Sequence, residues 1–299
     1  MIAKEGEILY LPLHNSQKME DSKMSNIKFK EQLMWKYLII VVIFVVSTSL
    51  GVTWCAARQA EPSVTTLIIG GENVPVGELE HCVAVGNKTR YFCSGTLITP
   101  RLVLTAKHCL LGGVKEVFFG RQLGEFSRQL GKKIEVIQEK EHPTADIAVL
   151  VLKSNSTVQP ARIGQECHLK NTSTATIAGF GATNVRGTDY GGVKRFVKYL
   201  PIVDPDCSAP NKSGCTPGLE MVAGFRAFNR DTCRGDSGGP LYINNNGERL
   251  LIGATSRPAK KEEGDTRICG DGGIYVRVDK FTDWIEQTTG ISIVQAPCR

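Results

Sequence analysis

The sequence has almost no helical periodicity, no cysteines at zinc-ligand spacing and no sustained run of basic residues. The first absence argues against a helical fold, because amphipathic helices announce themselves by a 3.6-residue apolar period. The second leaves the ten cysteines to disulfides rather than to a structural metal. The third turns a net charge of +6 into a solvated surface. Lys260-Lys261 is followed at once by Glu262-Glu263, so no nucleic-acid footprint is expected. Acidic residues are also scarce from Gly124 to Lys133, which contains only Glu125, whereas a Ca²⁺ loop supplies roughly six to eight oxygens.

What is present reads as β structure. Short apolar runs end in turn residues, as in Thr96-Leu97-Ile98 before Thr99-Pro100, and in Leu102-Val103-Leu104. A chain of 299 residues is long enough for one large all-β unit or two small domains. Tyr37 to Trp54 is apolar and preceded by Lys28, Lys30 and Lys36, which orients the N-terminus inside and the remainder outside. If translation starts at Met34, residues 34–57 form a compact signal peptide cut near Ala57; retained, the same run is a short signal anchor of a type II membrane protein. Residues 1–33 carry no fold signal. Asn-X-Ser/Thr sites at Asn87, Asn155, Asn171 and Asn211 all follow the apolar run. With the cysteines they point to an oxidising, secretory setting.

Three stretches carry chemistry. Asp231 to Leu241 places Ser237 between Asp236 and Gly238-Gly239, a tight loop whose amides can face an oxyanion, although the same residues also suit a surface turn. Leu104 to Cys109 contains His108, and a lone histidine is more often structural than catalytic. Asp146 opens a run apolar on both faces, Asp-Ile-Ala-Val-Leu-Val-Leu. A carboxylate at the mouth of a buried strand must find partners or lose its charge. The order His108, Asp146, Ser237, with Ile68-Ile69-Gly70-Gly71 upstream, resembles the chymotrypsin/trypsin family of serine proteases, and the resemblance runs from Ile68 to about Gly290.

That resemblance implies an all-β fold of two six-stranded antiparallel Greek-key barrels with a short C-terminal helix, placed here at Phe281 to Gln287 and stopped by Gly290. It implies an activation peptide or linker at 58–67 and a protease domain at 68–299. Ser237 would be the nucleophile, His108 the general base and Asp146 the group that orients it. The amides of Gly235 and Ser237 would form the oxyanion hole. Ser256 would give Asp146 a second hydrogen bond, Asp231 would floor a pocket for Arg or Lys, and Gly273 would keep that pocket open. Cleavage before Ile68 would free an amino group to pair with Asp236, so the uncut chain would be a zymogen. Cys93 would pair with Cys109 and Cys233 with Cys269. Cys207 lacks its family partner, whose place Val222 takes, and a small local disulfide to Cys215, eight residues on, is the expected replacement. Cys167 matches a position that bonds a propeptide, with Cys55 as partner if the leader is retained. The implied partners are a protein or peptide substrate, an activating protease and a protein inhibitor, with the membrane only if the leader stays. No metal or organic cofactor is implied.

The chain departs from the family pattern at three places. Leu67 precedes the cut where Arg or Lys is usual, Arg257-Pro258 follows Ser256 where Trp-Gly is usual, and the segment Glu141 to Ala145 is short. Proline has no N–H to pair with an extended substrate. The short segment opens one side of the cleft, and Arg257 reads equally as a charge for acidic residues away from the cut or as a solvent-facing surface arginine. A second reading therefore stands beside the protease: a homologue that keeps the fold and binds a partner without hydrolysing it.

Overall fold

The computed structural model describes residues 68–123, 131–170, 172–225, 228–260 and 265–298. The apolar leader, Cys55, Leu67, Glu125 and Asn171 lie outside those residues. A two-residue strand, β1 (Glu72–Asn73), opens the described chain. Six strands follow: β2 (Cys82–Gly86), β3 (Tyr91–Thr99), β4 (Leu102–Thr105), β5 (Glu116–Gly120), β6 (Gly131–Glu141) and β7 (Ala148–Leu152). They pair antiparallel in the order β2-β3-β4-β7-β6-β5, and β5 returns to β2 to close a barrel. After the short β8 (Arg162–Ile163), a second set follows: β9 (Thr174–Gly179), β10 (Arg195–Asp204), β11 (Glu220–Ala223), β12 (Pro240–Asn245), β13 (Glu248–Pro258) and β14 (Gly273–Arg277). These close in the order β9-β10-β11-β14-β13-β12, with β12 back on β9. The two short strands join from outside, β1 on β10 and β8 on β13. Closure removes the unpaired edges that an open sheet would expose.

Apolar residues fill three places. Val83, Val85, Leu97, Val103, Val117 and Leu150 form the first barrel's interior. Ile177, Leu200, Met221, Leu241, Ile252 and Tyr275 form the second. A third cluster forms the seam between barrels, where Ala84, Leu104 and Val149 meet Phe180, Tyr242 and Val276. Strand β7, apolar on both faces, is buried throughout because one face looks into its barrel and the other into this seam. The C-terminal helix, Thr282–Thr289, ends at Gly290, whose φ of +66° lets its N–H cap the Glu286 carbonyl. Trp284 and Ile285 pack on the seam cluster rather than on the second barrel alone. The His142 ring, from the first barrel, stands edge-on to Phe281 and Trp284 at 5.0 and 5.1 Å between centroids.

Four disulfides are present among the described residues. Cys93–Cys109 joins β3 to the turn after β4, Cys233–Cys269 joins the Ser237 loop to the segment before β14, and Cys207–Cys215 closes a local loop after β10. Cys167 is bonded to Cys298, not left for Cys55. The tail is brought there by backbone bonds, since Ala296 N–H donates to Ile163 and the Gln165 side chain donates to the Ala296 carbonyl at 2.6 Å. Each bridge stabilises by roughly 2 to 4 kcal/mol. Cys82 is a buried free thiol. Asn155 and Asn211 are exposed, while Asn87 is partly buried and its side-chain N–H donates to the Gly112 carbonyl at 3.2 Å.

Candidate active site

His108 lies in a six-residue 3₁₀ helix, Lys107–Gly112, just after β4, and Asp146 lies two residues before β7. Because β4 and β7 are antiparallel neighbours, the two residues meet at the same end of the barrel. The His108 Nδ1 atom is 2.9 and 3.1 Å from the Asp146 carboxylate oxygens, and the His108 backbone N–H donates to Oδ1 at 3.0 Å. An ionised carboxylate only accepts, so Nδ1 carries the proton and Nε2 keeps its lone pair. Ser256 on β13 donates its hydroxyl to Asp146 Oδ2 at 2.6 Å. Burial alone would raise the Asp146 carboxyl. The bonds from the His108 ring, Ser256 and the His108 amide, with the attraction His108 adds whenever it is protonated, hold it below the usual carboxylate range.

Ser237 comes from the second barrel, in the loop that leads into β12. Its backbone is pinned across the seam, where Ser94 N–H on β3 donates to the Ser237 carbonyl at 2.9 Å. Gly238 N–H donates to Thr255 at 2.7 Å, and Gly239 N–H to Asp236 at 2.8 Å. Gly238 must be glycine: its φ is +75°, and a Cβ there would lie 2.5 Å from the Ala106 backbone nitrogen. Gly235, with φ +95°, has its amide and that of Ser237 uncommitted among the described hydrogen bonds. Two unpaired donors in one tight loop are what an oxyanion requires. Among the described residues no hydrogen bond joins Ser237 Oγ to His108; such bonds are often long without substrate.

The residues expected to form the pocket and the activation pair are Asp231, Gly273, Asp236 and Ile68. Asp231 is buried, at 1% exposure, and accepts from Thr232 N–H at 2.8 Å, Gly270 N–H at 2.9 Å and Gly272 N–H at 3.1 Å. Burial raises its carboxyl to about 6; the three amides oppose this and the charge of Asp271 adds to it. Gly273 stands between this base and Tyr275, where a Cβ would meet the Tyr275 and Thr232 oxygens at 3.1 and 3.2 Å. Asp236 is fully buried and accepts from Gly181 N–H at 2.8 Å and Cys233 N–H at 2.9 Å. Ile68 is fully buried as well, among Val197, Leu200 and Met221 of the second core.

Two residues join the site that the motifs did not single out. Ser94, fully buried, donates its hydroxyl to the Gly235 carbonyl at 2.9 Å and accepts from Phe180 N–H at 3.1 Å. Its one signal in sequence is a hydroxyl next to a cysteine in an apolar strand. Glu220, at the start of β11, holds Arg257 in a two-pronged ion pair at 2.6 and 2.7 Å. Arg257 is thus committed to Glu220 and is not held out for acidic substrate residues. A carboxylate beside the buried run Met221-Val222-Ala223 was the available hint that a cation must lie nearby. Beside His108 the short Glu141–Ala145 segment leaves a cavity of about 300 Å³, lined by Lys107, Leu110, Leu111, Glu141 and Asp146. A second cavity, about 320 Å³, lies by Phe119, Arg121, Lys132 and Lys194, apart from this chemistry.

Two antiparallel barrels with a Ser, His and Asp set gathered at their seam define a serine hydrolase of the two-barrel type. The Trypsin family model matches residues 68–285, and the chain belongs to that family. Its domain is accordingly of the serine protease class. It is similar to serine protease 56 of Homo sapiens, 30% identical over 253 residues, which cover 78% of this chain and 40% of that longer protein. Trypsin of Saccharopolyspora erythraea is 31% identical over 230 residues, covering 72% of this chain and 95% of the relative. Coagulation factor IX of Cavia porcellus is 28% identical over 237 residues, covering 73% and 80% respectively.

Proposed function

We propose that the chain is a secreted serine endopeptidase, made as a zymogen, that cuts after Arg or Lys through an acyl-enzyme. The observation that carries this reading is the Asp146 carboxylate bonded to His108 Nδ1 at 2.9 Å with Ser256 behind it at 2.6 Å. That arrangement leaves His108 Nε2 to take the Ser237 proton as Oγ attacks a carbonyl, and to return it to the leaving amine. The Gly235 and Ser237 amides receive the developing oxyanion, each worth roughly 3 kcal/mol of transition-state stabilisation.

Asp231 supports the preference for Arg or Lys. A buried carboxylate kept neutral up to about pH 6 gains from a cation that replaces its lost solvation. Three amides fill three of its roughly four acceptor positions, leaving capacity on Oδ1 for a guanidinium or ammonium. Asp236 supports the zymogen in the same way, being a buried acid with no cation among the described residues, which an Ile68 ammonium would complete. Four disulfides and the sequons support export, in which an activating protease, a protein substrate and a protein inhibitor are the partners.

The test is digestion of a mixed peptide library by chain whose N-terminus is Ile68, with products sequenced. Ends at Arg and Lys are expected. Cleavage after apolar residues would refute the pocket assignment, and no cleavage, with His108→Gln protein as control, would favour the binding homologue.

A further inference from the structure

Arg257 and Glu220 occupy a place in the fold that reaches the back of the triad. Arg257 extends from β13 next to Ser256, and Glu220 opens β11; the Arg257 side chain is 40% exposed and that of Glu220 is 7%. Arg257 Nη1 donates to Glu220 Oε1 at 2.6 Å, and Nη2 to Oε2 at 2.7 Å. The fork is held from both sides. Nη2 also donates to the Gly214 carbonyl at 2.9 Å, and Oε2 also accepts from Thr216 N–H at 2.6 Å. Nη1 makes one further bond, to Ser256 Oγ at 3.2 Å.

That last bond sets the polarity of a relay. A guanidinium has donors only, so Ser256 Oγ must accept from Arg257, and its own proton is then directed to Asp146 Oδ2 at 2.6 Å. Two steps, of 3.2 and 2.6 Å, therefore separate a fixed positive charge from the carboxylate that supports His108. Arg257 is held above its usual range first by the Glu220 bond; burial pulls it back, and the charges of Glu220 and Asp146 add to the rise.

We propose that Arg257 and Glu220 are positioning residues that act through Ser256: Arg257 aims the Ser256 hydroxyl at Asp146 and opposes protonation of His108, and Glu220 tempers that charge. The pair takes no part in bond making. Building on the protease reading, it assigns to this wall of the cleft a role in setting the pH range of turnover. Other charged groups face the same place. Lys107 and Glu141 flank it from the first barrel, with their ions 3.9 Å apart and half-exposed, and Lys107 also bonds the His142 and Pro143 carbonyls. His142 is tied to the Thr144 and Ala145 amides. Within six residues of Ser237 in the chain, the second barrel adds buried Asp231 and Asp236 and exposed Arg234. None of these shares a hydrogen-bond chain with Asp146 among the described residues; Arg257 does.

The experiment follows the His108 ring by NMR titration, assigned by loss of its signal in His108→Gln protein, in the parent chain, Glu220→Gln, Arg257→Met and the double variant. This readout needs no turnover, so it stands apart from the protease reading. Uncovering the Arg257 charge in Glu220→Gln should move the midpoint down by roughly half a pH unit. Arg257→Met should move it up by a similar amount, and the double variant should return near the parent. In cut enzyme the acidic limb of kcat/KM should move with it. Should Arg257→Met not fold, with Glu220 left buried and alone, Glu220→Gln and Arg257→Lys carry the test, the first moving down and the second staying near the parent. An unmoved Glu220→Gln midpoint, or both single variants moving in one direction, overturns the proposal even in protein that turns over substrate. Shifts as stated in protein that hydrolyses nothing would sustain the relay and refute the protease.

Discussion

In the uncut chain Asp236 is a carboxyl with no cation beside it among the described residues. Burial raises it from 3.8 to about 7, the Cys233 and Gly181 amides hold it back, and the charge of Asp231 pushes it further. The folded chain therefore binds this proton more tightly than the unfolded chain does. The resulting stability is fully present below the unfolded carboxyl range and is lost as pH rises through about 7. A difference of roughly three pH units sets a ceiling of about 4 kcal/mol on that loss. Cleavage before Ile68 should reverse the sign. An ammonium beside Asp236 lowers its carboxyl, so the paired form gains stability above the unfolded range and loses it as pH falls. Denaturant unfolding of cut and uncut chains, disulfides intact, from about pH 4 to about pH 7.5 reads this directly. The uncut chain should fall relative to the cut chain by up to a few kcal/mol across the interval. Asp231, also raised, is common to both forms and drops out of the comparison. Parallel curves would refute the reasoning, as would an uncut Asp236→Asn chain whose pH dependence matches the parent's.

Three further outcomes follow from the site. Ser256→Ala removes the 2.6 Å bond to Asp146; kcat/KM should fall roughly 10-fold, as for loss of one bond to a charged group, and an unchanged value in ester hydrolysis would count against the relay. Asp231→Ser empties the pocket base of charge, so the ratio of Arg-ester to uncharged-ester kcat/KM should drop by about 100-fold or more; an unaltered ratio would place specificity elsewhere. Gly235→Ala puts a Cβ 2.9 Å from the Gly181 Cα on a backbone with φ +95°, and kcat should fall roughly 100-fold with KM little changed, measured by steady-state kinetics.

Much of the fold was legible because its signals are local. Leu102-Val103-Leu104 and the doubly apolar Ala148–Leu152 read as strands, and both are strands with every residue buried. The four motifs around Ile68, His108, Asp146 and Ser237 fixed the order of the barrels, which periodicity alone does not. What stayed hidden depends on contacts between distant segments. Ser94 lies 141 positions from the Gly235 carbonyl that it bonds. Arg257 reads as a free surface charge until β11 brings Glu220 beneath it, 37 positions away. The Cys167–Cys298 bridge spans 131 positions and forms because the tail pairs beside Ile163, a register with no signature in composition. The helix face that meets His142 was likewise invisible, because the seam exists only once both barrels have closed.

On this reading Ser237 becomes acylated only when His108 and Asp146 support it and Ile68 is a free N-terminus. Active-site burst titration with an Arg-based acylating ester, on cut and uncut chains side by side, tests it most directly. A burst of about one equivalent in the cut chain, abolished by Ser237→Ala and absent from the uncut chain, is the predicted result. No burst from protein whose first residue is shown to be Ile68 would contradict it.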